Sequence, residues 1–120
     1  MEINNLEVYK LSRELSKIGW NIYNKLEWQD KKIMGDQFIE AVDSVGANIA
    51  EGYRRFHYLD RNKFNYNSRG SLIESLHWLN VLSERNKINK EECNKFLDIA
   101  KTLTVKLNNY IKTTKNFAAK

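Results

Sequence analysis

The sequence predicts an all-α fold, an antiparallel up-and-down four-helix bundle, and three observations lead there. The 120 residues contain no proline and only five glycines, so the punctuation that strand ends and tight turns require is scarce. Apolar residues recur at alternating steps of three and four, the period of a helix with one buried stripe, and not at steps of two. Four such stretches are separated by short polar connections, so sequence neighbours can close their stripes against one another without long crossovers.

The elements follow in order. Val8, Leu11, Leu15, Ile18 and Ile22 place a first helix over residues 6–26. The polar run Trp28-Gln29-Asp30-Lys31-Lys32 reads as a connection. Asp36 is suited to cap a second helix over residues 36–52, since its carboxylate can accept from the free N–H groups of a first turn. Phe38, Val42, Val45 and Ile49 form its stripe, and Gly52 marks its end. A third helix, residues 60–84, opens at Asp60 and carries Phe64, Ser68, Leu72, Ser75, Leu79 and Leu82, so its core is partly polar. Asn89 with Glu92 three residues later has capping-box spacing. The fourth helix, residues 90–114, carries Cys93, Phe96, Ala100, Leu103, Leu107 and Tyr110. Residues beyond Lys115 are expected to fray. At 1.5 Å rise per residue, helices of about 17 to 26 residues make a bundle roughly 30 Å long.

One core suits a chain of this size, so residues 1–120 are expected to form a single domain. No apolar run approaches the roughly 18 residues that span a bilayer, and Met1-Glu2-Ile3-Asn4-Asn5 lacks the basic and apolar regions of a signal peptide. A cytoplasmic location is expected. Cys93 is the only cysteine, which excludes an intrachain disulfide and a zinc site built from several thiolates. It reads as a small apolar side chain on a helix.

Charge is distributed unevenly. Residues 1–52 hold nine acidic against six basic side chains, whereas residues 53–70 hold Arg54, Arg55, Arg61, Lys63 and Arg69 against Asp60 alone. Residues 89–120 add seven lysines against three acids. Two basic zones, one at the turn between helices two and three and one along helix four, would attract phosphate if they share a surface. Tyr53, Phe56, His57 and Tyr58 are interleaved with the arginines of the first zone. Planar groups beside guanidinium forks are what unpaired bases and phosphates require. Arg54, Arg55, Arg61, Lys63 and Arg69 are therefore the candidate nucleic-acid-binding residues. A solvated basic turn, its aromatics packing the bundle end, is the plain alternative.

Small, polar and charged residues occupy two blocks where a generic bundle would place leucine. The first is Asn48-Ile49-Ala50-Glu51-Gly52 followed by Tyr53-Arg54-Arg55, and the second is Arg69-Gly70-Ser71-Leu72-Ile73-Glu74. Together with Gln37, Ala41 and Ser44, these blocks resemble the small bacterial four-helix-bundle proteins often encoded within intervening sequences of 23S rRNA genes. That family also includes the accessory variability proteins of diversity-generating retroelements. The resemblance spans nearly the whole chain and is most specific between Gln37 and Glu74. Where the family usually carries a basic pair, an alanine and later a proline, this chain has Ile39-Glu40, Ala41 and Gly46. The resemblance implies a cyclic homopentamer and contact with nucleic acid; no cofactor is expected.

Helical periodicity puts Ser44, Asn48 and Glu51 on one stripe and Ser71, Glu74 and Trp78 on another, both flanking apolar seams. Carboxylates so placed need partners. Ser44, Asn48, Glu51, Ser71 and Glu74 are expected to form a structural polar network between helices or across a subunit boundary, with Arg69 as counter-ion. Gly46, Ala47, Ala50 and Gly70 would allow close backbone approach at that level. Trp20, Trp28 and Trp78, with Tyr9, Tyr23 and Tyr66, exceed what four seams need, so some are expected on outer faces as interface groups.

Enzymatic function is not expected. Glu74-Ser75-Leu76-His77 has the Glu-x-x-His spacing of helical di-iron sites, but a second such pair is missing, since Arg54 stands three residues before the only other histidine, His57. No phosphate-binding glycine loop, nucleophile elbow or zinc signature is present. The expected function is a non-enzymatic oligomeric bundle that binds RNA or DNA through a basic surface. The alternative is a protein-interaction scaffold without nucleic acid.

Overall fold

A computed structural model of the chain describes residues 2–118. After a single 3-10 turn at Ile3–Asn5, four helices follow. α1 is Glu7–Lys25. α2 covers residues 28–53 as a continuous run: Trp28–Asp30, a π turn at Lys31–Gly35, then Asp36–Tyr53. α3 is Tyr58–Glu84 and α4 is Lys90–Ala118. Each helix packs on the two beside it, α2 between α1 and α3, and α4 between α3 and α1, which closes an up-and-down four-helix bundle.

α2 begins eight residues earlier than its hydrophobic stripe suggests. The polar residues of the expected connection are helical, and the Asp36 N–H donates to the Lys31 carbonyl five residues back, as a π turn requires. Asp36 is thus inside the helix and caps nothing. Its carboxylate instead accepts from Tyr23 Oη at 2.6 Å and from Lys32 Nζ at 3.4 Å. α4 runs through Ala118 where fraying was expected beyond Lys115. With α3 and α4 each longer than 26 residues, the molecule measures 50 × 23 × 22 Å, well beyond the roughly 30 Å that shorter helices suggest.

The core holds the expected Phe38, Val42, Val45 and Ile49 of α2, Leu72, Leu79 and Leu82 of α3, and Phe96, Leu103 and Leu107 of α4. Phe38 and Phe96 meet at 5.4 Å between ring centroids. In α1 the buried stripe is rotated from the one the aliphatic residues mark. Val8, Ser12, Leu15, Gly19 and Ile22 are buried, while Leu11 and Ile18 pack only at the margin. Small side chains win these places because α1 and α2 lie close. A Cβ on Gly46 would stand 2.8 Å from Ser12 Oγ. In the last turn of α2, a Cβ on Gly52 would stand 2.9 Å from the Arg61 carbonyl oxygen. Gly70 is different, since it is exposed with nothing within 4 Å of a Cβ position, so it permits no close approach.

The core of α3 is more polar than its expected stripe. Asn62 and Asn65 are buried at the N-terminal end, and Phe64 is only half-buried. Asn62 Nδ2 donates to the Ile111 carbonyl of α4 at 3.0 Å, and Asn65 Nδ2 donates to Asn62 Oδ1 at 3.0 Å. Ser68 Oγ donates to the Val45 carbonyl of α2 at 2.8 Å. These bonds tie α3 to both neighbours.

Caps set the two remaining turns. α3 ends with Asn86 at φ 58°, in the left-handed region that asparagine tolerates. The Lys87 N–H reaches the Leu82 carbonyl and the Asn86 N–H reaches Ser83, the paired bonds of a Schellman stop. Asn89 Oδ1 accepts from the Glu92 N–H at 2.7 Å, the first half of the expected capping box. The second half does not form, because the Glu92 carboxylate turns to Lys25 Nζ at 2.9 Å and ties α4 to α1.

Candidate nucleic-acid interface

Four residues, 54–57, connect α2 to α3 at one end of the bundle. Arg54 donates from Nε and Nη2 to the two oxygens of Glu51, each at 3.1 Å, and Arg55 Nη2 donates to Glu51 Oε1 at 2.7 Å. One carboxylate thus orients two guanidinium groups, which the spacings i+3 and i+4 on a helix allow. Its cost to the site is one negative charge against two positive ones. The Arg54 guanidinium beside it holds the Glu51 carboxyl below the usual carboxylate range, with Arg55 adding to the effect. Arg54 is 70% exposed, so its outer face remains open. Arg55 lies over the Phe64 ring at 4.9 Å.

Arg61 is built into the turn. Its Nε donates to the Arg55 carbonyl at 2.8 Å, and its guanidinium lies over Tyr58 at 5.3 Å and Tyr53 at 5.9 Å. Arg69 lies over Tyr66 at 5.1 Å and donates to Asn108 Oδ1 of α4 at 3.1 Å. Lys63 is exposed. The sequence-predicted basic residues therefore occupy one end of the bundle and the adjoining flank of α3, with Arg54 and Arg55 paired to Glu51.

The last turns of α4 join them. Asn62 meets Ile111, Arg69 meets Asn108, and Tyr58 stacks on Phe117 at 5.5 Å. Lys112 and Lys115 stand one and two turns beyond Asn108 and so share its face. The first basic zone of the sequence is thus joined by the C-terminal lysines of the second, Lys112 and Lys115, at the end where α2 turns into α3. Among the described residues, Arg61, Lys63, Arg69, Lys112 and Lys115 have no carboxylate within ion-pair distance. At the opposite end four cations are paired, Lys25–Glu92, Lys32–Asp36, Lys87–Asp30 and Lys95–Glu91, while Lys31, Arg85 and Lys90 have no carboxylate within ion-pair distance among the described residues.

The polar set divides. Glu51 serves the arginines, and Asn48 Nδ2 donates to the Ser44 carbonyl one turn back in its own helix at 2.9 Å. Glu74 is exposed and Ser71 half-exposed. Among the described residues no hydrogen bond links Ser44, Asn48, Glu51, Ser71 and Glu74 from helix to helix, and Arg69 points to Asn108 and not to a carboxylate. A hydrogen bond between α2 and α3 comes instead from Ser68, a residue that reads in sequence only as a gap in an apolar stripe. Glu74 and His77 both lie on the exposed side of α3, away from the core, and His77 meets Trp78 edge-on at 4.9 Å. Among the described residues no group of three or more His, Cys, Asp or Glu side chains is disposed to hold a metal ion. None of the described helices is long and apolar enough to cross a membrane.

Comparison with known proteins agrees with this architecture. The chain is similar to a protein of unknown function from the S23 ribosomal protein family of Bacteroides thetaiotaomicron. That crystal structure superposes with a TM-score of 0.81 at 24% identity, over 88% of this chain and 98% of the other. At that identity the likeness concerns the fold. No curated protein matches the chain. The profile of the 23S rRNA-intervening sequence proteins matches residues 4–109, nearly the whole bundle. The chain belongs to the 23S rRNA-intervening sequence protein family.

Proposed function

We propose that this protein is a non-enzymatic bacterial nucleic-acid-binding bundle that works in the cytoplasm as a homo-oligomer. Its basic end takes RNA or DNA phosphates. The observation that carries this reading is the gathering of the 54–69 cluster and the end of α4 at one end of the bundle, where Arg61, Lys63, Arg69, Lys112 and Lys115 stand without carboxylate partners among the described residues. Arg54 and Arg55, oriented by Glu51, complete the surface. Such a charge distribution favours phosphate by counterion release and is indifferent to base sequence. The family's association with ribosomal RNA genes supports the same reading.

Self-association into a ring of five, which the family resemblance implies, would gather five basic ends and multiply weak phosphate contacts by avidity. Support comes from aromatic groups left outside the core, Trp28 at 73% and Trp20 at 51% exposure. Among the described residues Ser44, Asn48, Ser71 and Glu74 make no hydrogen bonds between helices, which leaves them to a neighbouring subunit. Purification without nuclease, followed by a high-salt wash and mass measurement, tests both parts. Nucleic acid that copurifies and leaves with salt, from a particle of several subunits, is expected. Clean protein at every salt concentration would favour the protein-interaction scaffold, and a monomeric mass would remove the ring.

A further inference from the structure

The nucleic-acid reading leaves Phe56 unexplained. It sits in the 54–57 turn, is 90% exposed, and touches its neighbour His57 only at right angles, with ring centroids 5.5 Å apart. A bare phenylalanine at a convex tip gains nothing for the fold, because it removes almost no apolar area from water. The other phenyl and phenol rings of this end have partners, Tyr58 in Phe117 and Arg61, Tyr53 in Arg61, Tyr66 in Arg69 and Phe64 in Arg55, while the exposed His57 meets Phe56. Phe56 is thus the open ring, and Arg54, with its guanidinium oriented by Glu51, lies two residues away.

We propose that Phe56 is a stacking platform for an unpaired base, and that the ligand of the basic end is single-stranded nucleic acid. This inference rests on the nucleic-acid reading and narrows it. A base can stack on a side chain only when it is free of its own stack, so a duplex cannot use Phe56 without being opened. The flanking cations fit the same ligand. Along the α3–α4 flank, which begins where Tyr58 meets Phe117, they run from Lys115 and Lys112 to Arg69 on Asn108, and then to Lys101, which lines a shallow groove between α3 and α4 with Leu76 and Val105. The α4 part of this path, from residue 115 to residue 101, is about 20 Å long at 1.5 Å per residue. It runs up the side of the bundle, the course of a strand, whereas a collar around the tip would suit a flat anionic membrane.

The test compares an unstructured RNA carrying one 2-aminopurine with a blunt RNA duplex of equal length, both at low salt, for the wild-type chain, Phe56→Ala and Phe56→Trp. The exposed position makes both variants fold-neutral, which a thermal melt verifies. The strand is expected to bind more tightly than the duplex, with 2-aminopurine fluorescence falling on binding. Phe56→Ala should weaken strand binding by about 5- to 150-fold and abolish the fluorescence change, Phe56→Trp should preserve both, and duplex binding should be unmoved. Equal affinity for strand and duplex, untouched by Phe56→Ala, would overturn the inference while leaving nucleic-acid binding in place. No binding of either RNA overturns both. Loss of binding to phosphatidylserine vesicles in Phe56→Ala, with RNA binding unchanged, would assign the tip to a lipid surface and overturn the inference as well.

Discussion

Glu51 holds Arg54 by two parallel hydrogen bonds of 3.1 Å while accepting a third, at 2.7 Å, from Arg55. The same carboxylate that orients the guanidinium groups competes with phosphate for them. Glu51→Gln should therefore strengthen RNA binding several-fold at low salt and lower the melting temperature, read by fluorescence anisotropy and circular dichroism. Weaker binding in this variant would mean that orientation outweighs charge.

Gly52 and Gly70 stand in the two blocks that carry the family resemblance, yet they answer to different physics. The Cβ of Gly52→Ala would meet the Arg61 carbonyl at 2.9 Å, a backbone atom that cannot swing aside. The change should cost about 1–3 kcal/mol in denaturant unfolding. Gly70→Ala meets nothing within 4 Å inside a helix and should stabilise by about 0.5–1 kcal/mol. Equal effects at the two sites would contradict the packing described for α2 and α3.

The buried asparagines form a relay from α3 to α4, in which Asn65 gives to Asn62 and Asn62 gives to the Ile111 carbonyl. Asn62→Ala strands the buried Nδ2 of Asn65 and should cost about 1–3 kcal/mol. A double-mutant cycle with Asn65→Ala should show the two to be coupled, whereas additive losses would mean that the relay carries no cooperative stability.

Stability should follow pH as a dome. The Asp36 carboxyl is held low by its bond from Tyr23, and that of Glu51 by Arg54. A lowered folded-state value stabilises above the ordinary carboxylate range, and this stabilisation disappears as pH falls through the folded values. The Tyr23 hydroxyl is raised by its bond to Asp36, and that of Tyr110 by burial. Their contribution is full below the ordinary tyrosine range and disappears as pH rises through the folded values. Thermal melts across pH should show both limbs, and Tyr23→Phe should soften both at once.

Much of the fold is legible in the sequence because apolar spacing fixes helices wherever large side chains mark the seam, as Phe38, Val42, Val45 and Ile49 do in α2. The pattern misleads where small or polar residues take the core. Ser12, Ser16 and Gly19 line the α1 seam because α1 and α2 lie close, and a hydrophobic stripe drawn through Leu11 and Ile18 misses that rotation. Asn62 and Asn65 look like surface residues until Ile111 appears as a partner. The start of α2 is hidden because the polar run Gln29-Asp30-Lys31-Lys32 is helical and a π turn at Lys31–Gly35 carries it into the rest of the helix. At the candidate site, the basic cluster of residues 54–69 is readable from charge alone. That the end of α4 lies beside the start of α3 follows from antiparallel neighbours, but that Lys112 and Lys115 share the face of Asn108 and Arg69 depends on helix rotation that charge alone does not display. The link from Glu51 to Arg54 and Arg55 is legible in the sequence, since spacings of three and four on a helix are those of side-chain neighbours.

The most direct measurement is RNA binding by the wild-type chain and the Arg54→Ala, Arg55→Ala double variant across a salt series. Binding through this end predicts affinity that falls steeply with salt, a double variant weaker at low salt, and a log–log slope shallower by about 0.7–0.9 for each phosphate that is no longer neutralised. Identical affinity and slope for the two proteins would contradict the assignment of these arginines, and no binding at low salt would contradict nucleic-acid recognition by the bundle.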